Sequence, residues 1–204
     1  MDLKALQKIS YGIFVICANR NEKDNGCIIN TAVQFASKPL NISFAINKNH
    51  HTCKMIQDTK KCTISILNKD STFDIIKNFG STSGANTNKF KNFSDYKRVV
   101  NGTVAITRGT NSYISVYVKE QVDLGSHILF IGTPTEMEVF NEIPSATYAY
   151  YLHNIKQKPE SRVETTKNVY RCTVCGYEYI GDFLPDDFIC PVCKHPASDF
   201  IKVE

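Results

Sequence analysis

The chain has 204 residues, of which 42% are hydrophobic, and a formal net charge of +4. This length and composition provide for one domain of ordinary size plus a small module, and they exclude a largely disordered chain. No apolar run approaches the roughly 18 residues of a membrane span, and no Lys/Arg stripe of the kind that binds nucleic acid is present. We therefore expect a cytoplasmic protein whose partners include neither a membrane nor a nucleic acid.

The first third of the chain is predicted to consist of short elements separated by polar turns. In chain order these are an amphipathic helix with Leu3, Leu6 and Ile9, a buried strand over residues 13–17, a turn at 24–26, a strand over 27–35, and a helix over 52–57 that Thr52 would cap.

The middle of the chain continues as strands with few helices. Residues 62–66 alternate as a half-buried strand does, 72–79 have helical spacing, 102–140 are almost all strand, and 146–154 form a last helical segment. Many short strands with two or three helices favour a Greek-key β-barrel, and no G-x-G-x-x-G follows a strand, so a Rossmann fold lacks its main support.

The eight cysteines divide into two groups with different expected roles. Four are scattered singly through the first third, and we expect them to be small buried hydrophobes: Cys17, Cys27, Cys53 and Cys62. The others form two C-x-x-C pairs separated by fourteen residues, which indicates one tetrahedral sulfur site for iron or zinc: Cys172, Cys175, Cys190 and Cys193.

The C-terminal segment resembles a rubredoxin, and more closely the short rubredoxin-like tail of rubrerythrins. The resemblance is carried by Tyr-x-Cys-x-x-Cys-Gly-Tyr over 170–177, Pro-Asp-x-Phe-x-Cys-Pro-x-Cys over 185–193, and His-Pro at 195–196. It implies one iron on the four cysteines and an aromatic core of Tyr170, Tyr177, Phe188 and Phe200. The segment between the pairs is shorter than in full-length rubredoxins and has no tryptophan.

Polar residues in otherwise apolar surroundings mark a candidate site in the body of the chain. They are Asn30, Thr31, Gln34 and Ser37 in a predicted strand, Lys48, His51 and Thr52 near a predicted helix start, and Ser83, Gly84 and Lys89 in or after a small-residue loop. Buried polar groups need partners, and a helix start with a nearby cation, or a loop of small residues, can hold a phosphate.

Taken in order, these residues resemble the flavin-reductase family, in particular its flavoredoxin-like branch. The matching motifs include Asn-Thr-x-x-Gln at 30–34, Asn-Lys-Asn-x-x-Thr at 47–52, Phe-Gly-x-x-Ser-Gly at 79–84, and Gly-x-His-x-x-Phe-x-Gly at 125–132. The resemblance implies an FMN-binding split β-barrel and a homodimer with FMN at its interface. Asn30, Thr31 and Gln34 would face the flavin ring, Lys48, Thr52, Ser83 and Lys89 would hold its phosphate, and His127 would be the candidate catalytic side chain.

The predicted fold class is thus mainly β with a few helices, a split barrel followed by a small iron-binding module. We expect an FMN-binding domain over 1–154, a polar linker over 155–167 and a rubredoxin-like domain over 168–204. The last of these carries a net charge of −3, which leaves +7 for residues 1–167.

The two resemblances together imply an electron-transfer oxidoreductase. Electrons would pass from NAD(P)H through FMN to the iron held by the four cysteines and on to a soluble acceptor, such as a flavodiiron protein that reduces oxygen or nitric oxide. Two alternatives remain open from the sequence. One is an FMN-binding protein whose tail is a structural zinc ribbon used as an interaction module, and the other is a flavin reductase that releases reduced FMN.

Overall fold

The computed structural model describes residues 2–156 and 168–203. The chain divides into two compact units, Met1–Lys156 and Gln157–Glu204. The predicted linker over 155–167 lies outside the described residues except for its first two positions. No helix in the described ranges is long and apolar enough to cross a membrane.

The first unit, called the body below, is built on one seven-stranded antiparallel sheet. Its strands are β1 (Phe14–Arg20), β2 (Lys23–Ile29), β3 (Ala32–Ser37), β4 (Leu40–Asn47), β5 (Lys61–Leu67), β8 (Thr110–Asp123) and β9 (His127–Val139), with β6 (Tyr96–Arg98) and β7 (Val104–Ile106) paired separately. The order in the sheet is β2-β1-β5-β8-β9-β4-β3, so that β2 and β3 form the two edges.

The body also contains a few short helices. They are a 3-10 helix (Leu3–Lys8), α1 (His51–Thr59), α2 (Phe73–Gly80) and α3 (Tyr148–Tyr150), which continues as a π-helix (Tyr151–Ile155). Of these, α1 and α2 connect strands. The mainly β class with few helices, predicted from the sequence, is confirmed. The predicted N-terminal helix is a 3-10 turn, and its Leu6 side chain is 58% exposed instead of packed.

Two large hydrophobic clusters and a small one around Tyr113 form the core of the body, and alternation along the strands assigns side chains to them. Ile16, Phe44 and Phe130 belong to the first, in which the rings of Phe44 and Phe130 stack at 5.3 Å. Ile13, Val15 and Phe79 belong to the second. The predicted strand over 13–17 is therefore confirmed as buried, because strands covered on both faces lose the polar alternation of a surface strand.

Three local predictions were wrong, and strand pairing gives the reason for two of them. Residues 24–26 lie inside β2, since the turn falls at Asn21 and Glu22, which both have positive φ and join the paired residues Arg20 and Lys23. The predicted strand over 27–35 is two strands, because its first half pairs with β1 and its second half with β4. In the third case, α1 begins at His51 and has His50 as its N-cap, so Thr52 lies within the first turn instead of capping it.

The second unit, called the tail below, is a three-stranded antiparallel sheet in the order β11-β10-β12. Its strands are β10 (Asn168–Cys172), β11 (Glu178–Gly181) and β12 (Phe200–Val203), and a 3-10 turn (Ala197–Asp199) precedes the last of them. The long loop between β11 and β12 carries the second cysteine pair.

Candidate metal centre and anion-binding cavity

The two cysteine pairs of the tail fold into loops with the same backbone pattern. The N–H of Gly176 donates to the carbonyl of Cys172 at 2.9 Å, and the N–H of Lys194 donates to the carbonyl of Cys190 at 2.9 Å. Both residues have positive φ, +78° for Gly176 and +63° for Lys194. Glycine adopts this backbone without strain, which explains its place after the first pair. Each loop turns tightly enough to present both of its sulfurs on one side.

The four sulfurs converge on a single point. All four Sγ atoms lie within 4.8 Å of one another, and no other such group of ligands occurs in the described ranges. The Cys172–Cys193 sulfurs are 3.6 Å apart and the Cys175–Cys190 sulfurs 3.5 Å apart. A tetrahedron with metal–sulfur bonds of about 2.3 Å has edges of about 3.8 Å. The residues present therefore fit a tetrahedral tetrathiolate ion, as the spacing predicts.

The environment of the sulfurs favours at least one thiolate before a metal arrives. Burial raises the pKa of Cys190, but hydrogen bonds from the backbone N–H groups of Cys193 and Val192, together with neighbouring thiols, lower it to about 6. Cys172 and Cys190 are buried, whereas Cys175 is exposed. One side of the site is therefore open to solvent.

An aromatic core supports the site, with one member different from the prediction. Tyr170 contacts Tyr179 with ring centroids 6.3 Å apart, Tyr179 contacts Phe188 at 4.7 Å, and Phe188 contacts Phe200 at 5.5 Å. Tyr177 is absent from the ring pairs of the described residues. Tyr179 lies within β11 and reaches the core, whereas Tyr177 precedes the strand and accepts a hydrogen bond from the backbone N–H of Cys172 through its carbonyl.

In the body, a cavity of about 180 Å³ lies between the start of α1 and the loop that follows α2, and we call it the first cavity. Five of the ten predicted cofactor-binding residues line it: His51, Thr52, Ser83, Gly84 and Lys89. Pockets that bury a drug-sized ligand occupy about 300–1,000 Å³. The first cavity is thus the size of a small anionic group and is too small for a whole flavin.

Lys89 brings a buried positive charge to the first cavity. Its side chain is 5% exposed, and its ammonium group donates to the carbonyls of Gly26 at 2.9 Å and Phe79 at 2.8 Å. An ammonium group has three N–H donors, so one remains for the cavity. None of the ion pairs formed by residues 2–156 includes Lys89. Burial lowers the pKa of Lys89, as expected for a cation without a carboxylate partner.

The N-terminus of α1 also lines the first cavity, and no side chain caps it. The N-cap residue His50 makes no side-chain capping bond, and the first turn contains no acidic residue. The free N–H groups of such a turn carry partial positive charge and attract anions. Burial lowers the pKa of His50, and Lys89 and His127 lower it further.

A close contact holds the two walls of the first cavity together. A Cβ built at Gly84 would lie 1.9 Å from Oδ1 of Asn25, so only glycine allows the loop to approach so closely. The amide of Asn25 in turn donates to Oγ1 of Thr52 at 2.9 Å, and both side chains are buried. Thr52 therefore links the helix start to β2 through its side chain, and the backbone of the loop is exposed to the cavity.

The other predicted cofactor contacts lie elsewhere in the body. Asn30 and Thr31 line a cavity of about 640 Å³ together with Tyr11 and Tyr148. Gln34 lines a separate, apolar depression together with Phe14, Ile42 and Ile64, and Ser37 pairs with Leu40 at the end of β3. Within one chain the structure does not bring these four residues to the first cavity, and their flavin contacts stay a prediction.

Lys48 and His127 lie beside each other at the ends of β4 and β9. Lys48 forms an ion pair with Asp123, and its backbone N–H donates to Ser126 at 3.1 Å. His127 is in register with Asn47, and its Nδ1 lies 2.9 Å from Oγ of Ser126. The positive charge of Lys48 is thus partly satisfied by Asp123. The roles of both residues stay predictions.

The four scattered cysteines are all buried, as predicted. Burial raises the pKa of Cys27 to about 11, which keeps it a neutral thiol although it lines the first cavity. Asn25 and His50 are among the cavity residues that the prediction from sequence missed. The sequence pattern places Asn25 in a turn, and only the pairing of β2 with β1 shows that its side chain points inward. His50 directly precedes a predicted site residue and offers no separate signal.

Comparison with known proteins supports both units. Residues 6–158 match the family described as flavin reductase like domain, and residues 170–201 match the rubrerythrin, rubredoxin-like domain. The chain is 32% identical to the high molecular weight rubredoxin of Moorella thermoacetica over 231 aligned positions, covering 100% of both chains. It is 30% identical to the ferric-chelate reductase (NAD(P)H) of Archaeoglobus fulgidus, covering 81% of this chain and 96% of that protein.

Among solved structures, the flavin reductase PheA2 superposes with a TM-score of 0.60 at 24% identity, covering 72% of this chain and 93% of that one. This similarity supports the fold of the body.

Proposed function

The chain belongs to the flavin reductase like domain family and carries a rubredoxin-like domain after it, and from this premise we propose that it transfers electrons from NAD(P)H through FMN to one iron. The observation that carries the proposal is the convergence of four sulfurs within 4.8 Å in a chain whose other unit is a flavin reductase domain. An iron site in the same polypeptide as a flavin domain would provide a second redox centre for the electrons.

The FMN phosphate is proposed to occupy the first cavity. Lys89 supplies a buried cation with one free N–H, and the start of α1 supplies N–H groups without a cap. The loop around Gly84 adds backbone atoms at close range. A phosphate in this cavity would give Lys89 the anionic partner that the body itself does not provide. The fit of this group to the residues present is the reason for preferring a phosphorylated flavin to riboflavin.

The two proposed cofactors exchange different numbers of electrons. When bound, FMN supplies two-electron chemistry with a nicotinamide and one-electron chemistry with a metal centre, whereas an iron tetrathiolate exchanges only one electron at a time. The protein's part is to bind and orient the flavin and to hold the four sulfurs. Cys175 is exposed, so the iron site is accessible to a partner that accepts electrons.

We propose an electron donor and an electron acceptor for the chain as well. The name of the Archaeoglobus fulgidus relative includes NAD(P)H, which supports a nicotinamide nucleotide as donor. For the acceptor we propose a soluble protein of the flavodiiron class. It would receive single electrons from the iron and use them to reduce oxygen or nitric oxide.

We also propose that the body forms a homodimer. Its edge strand β3 exposes large apolar side chains, with Val33 at 54% and Phe35 at 74% exposure. Beside it lies an apolar depression of about 250 Å³. Exposed apolar edges of this kind are usually covered by another chain. The molar mass in solution, measured by light scattering on the full chain, tests this part.

Anaerobic titration of the full, metal-loaded protein tests electron transfer. NADH and then NADPH are added while the flavin and iron absorbance bands are recorded together. We expect both bands to bleach in the unaltered protein, and only the flavin band in the Cys175→Ser variant. An iron band that stays oxidised while the flavin is reduced would contradict the role of iron. Stoichiometric zinc in protein from iron-replete cells would favour the structural zinc-ribbon alternative.

A further inference from the structure

The two cysteine loops of the tail share a left-handed residue directly after each second cysteine. Gly176 and Lys194 hold these positions, with φ angles of +78° and +63°. In each loop the N–H of the following residue donates to the sulfur of that second cysteine, which is Cys175 in one loop and Cys193 in the other. The left-handed backbone thus accompanies an N–H···S hydrogen bond in both loops.

Lys194 lies at a position that glycine would fill without strain. For a residue with a Cβ, the left-handed region brings that atom close to the following carbonyl oxygen, and glycine alone escapes this clash. The first loop has Gly176 at the equivalent position, whereas the second loop retains a lysine in spite of the strain. Backbone strain that persists beside a functional site points to a role for the residue that causes it.

The positive charge of Lys194 is not balanced by any ion pair in the described part of the tail. The other cationic side chains next to the cysteines have acidic partners. Arg171 donates twice to Glu178, at 3.0 and 2.7 Å, and Nδ1 of His195 lies 2.7 Å from the carboxylate of Asp199. The side chain of Lys194 is exposed and directly follows a metal-binding cysteine in the chain. It is therefore an unneutralised cation beside the four sulfurs.

A cation at this place affects the energy of an electron on the metal site. One electron added to a ferric tetrathiolate raises its net negative charge from one to two. Residues 168–204 already carry a net charge of −3, which disfavours the added electron. A cation beside one of the sulfurs acts in the opposite direction, because opposite charges attract and salt screens little within a Debye length of about 8 Å.

We propose that Lys194 raises the reduction potential of the iron site by holding its positive charge beside Cys193. The charge favours the reduced site, which makes the iron a better acceptor for an electron that leaves the flavin. The inference rests on the proposed iron at the four cysteines. It gives a tuning role to a side chain that is not itself a ligand, and it accounts for the lysine at a position suited to glycine.

Three substitutions in the full chain separate the charge of Lys194 from its backbone. Lys194→Gln removes the charge and keeps a Cβ in the left-handed region, Lys194→Gly removes both the charge and the strain, and Lys194→Arg keeps the charge. Lys202→Gln is the matched control, because it removes one charge from an exposed lysine of β12 that does not adjoin a cysteine. Each protein is reconstituted with iron, and the iron absorbance is followed in a mediated redox titration that needs no nicotinamide and no partner protein.

We expect the ratio of reduced to oxidised iron at a fixed potential to fall about threefold in Lys194→Gln and in Lys194→Gly. This fall corresponds to a midpoint potential about 28 mV lower, since a tenfold change is about 59 mV for one electron. Lys194→Arg and Lys202→Gln should each stay within about 1.5-fold of the unaltered protein. The iron-loaded tail of Lys194→Gly should melt at least as high as that of the unaltered protein, because the strain is removed.

An unchanged ratio in both variants that lose the charge would overturn the inference. An equal fall in Lys202→Gln would also overturn it, because only the net charge of the tail would then matter. The same holds for a fall in Lys194→Arg, which would make the shape of the side chain responsible, and a lower melting temperature in Lys194→Gly would contradict the strain. The proposed function fails separately, if protein from iron-replete cells contains zinc, and the titration of iron-reconstituted protein still measures the effect of Lys194.

Discussion

Replacing Lys89 tests whether the first cavity holds the flavin phosphate. The Lys89→Met variant keeps a long unbranched side chain and removes the charge. A hydrogen bond between charged groups contributes about 1.5–3 kcal/mol. Its loss corresponds to FMN binding that is about tenfold to a hundredfold weaker. Riboflavin lacks the phosphate, so its affinity should change by much less.

The same substitution affects the flavin-free protein, and that effect has to be measured separately. The carbonyls of Gly26 and Phe79 lose their donor, while the cost of burying a charge disappears. Thermal unfolding of the flavin-free variant shows which of these effects is larger. Lys89→Gln retains N–H donors without the charge and is the second variant, in case Lys89→Met does not fold. Lys77→Met is the control, because Lys77 is exposed on the neighbouring helix.

The assay is fluorescence or calorimetric titration of flavin-free protein with FMN and with riboflavin. For Lys89→Met we expect a large loss of FMN affinity and a small change in riboflavin affinity, and for the Lys77→Met control no change in either affinity. Equal weakening of both flavins would refute the placement of the phosphate, because it would mean that Lys89 supports only the shape of the cavity. Unchanged FMN affinity in a folded variant would refute it as well.

Four other predictions follow from the contacts. Cys175→Ser should lose the iron, measured as metal per chain, and should unfold the tail while the cooperative unfolding of the body persists, because small metal modules fold on their ion; retained stoichiometric iron would contradict this. Electron transfer from flavin to iron should slow as salt rises, since residues 1–167 and 168–204 carry +7 and −3, whereas stopped-flow reduction of the flavin should change little; a flat salt series would rule out charge attraction. Phe130→Ala should lower the free energy of unfolding by about 3–5 kcal/mol in denaturant titrations, because a fully buried ring is lost; a loss below about 1 kcal/mol would mean that the core refills. A hydrogen bond from Tyr113 lowers the pKa of Glu136, and a hydrogen bond from the backbone N–H of Val100 lowers it as well. The resulting stabilisation of the fold should be present above the ordinary pKa of the carboxyl and be lost as the pH falls through the lowered value. Tyr113→Phe should remove this part of the acid dependence of the melting temperature, and an unchanged dependence would contradict the prediction.

The tail was the part of the protein most fully predicted from sequence. Metal ligation needs four sulfurs at fixed spacing, and a C-x-x-C loop has few backbone solutions, so local sequence specified the site almost completely. The aromatic core differed at one position, Tyr179 instead of Tyr177. Which of two nearby tyrosines points inward depends on where β11 begins, and strand ends depend on pairing more than on composition.

The fold class of the body and several of its site residues could be predicted from the sequence, but its cavities could not. The sequence by itself determined the mainly β character, the burial of residues 13–17 and the cysteines, and the motifs that place the chain in its family, because hydrophobic alternation and residue chemistry are local properties. Tertiary structure decided that Asn25 points inward, that Thr52 bonds to it instead of capping α1, and that Lys89 lies buried against two carbonyls. These facts depend on pairing between β1 and β2 and on the approach of the Gly84 loop to β2, which bring together residues as many as 63 positions apart. Such long-range contacts have no local pattern, since the free energy that favours them comes from packing between elements that lie far apart in the sequence.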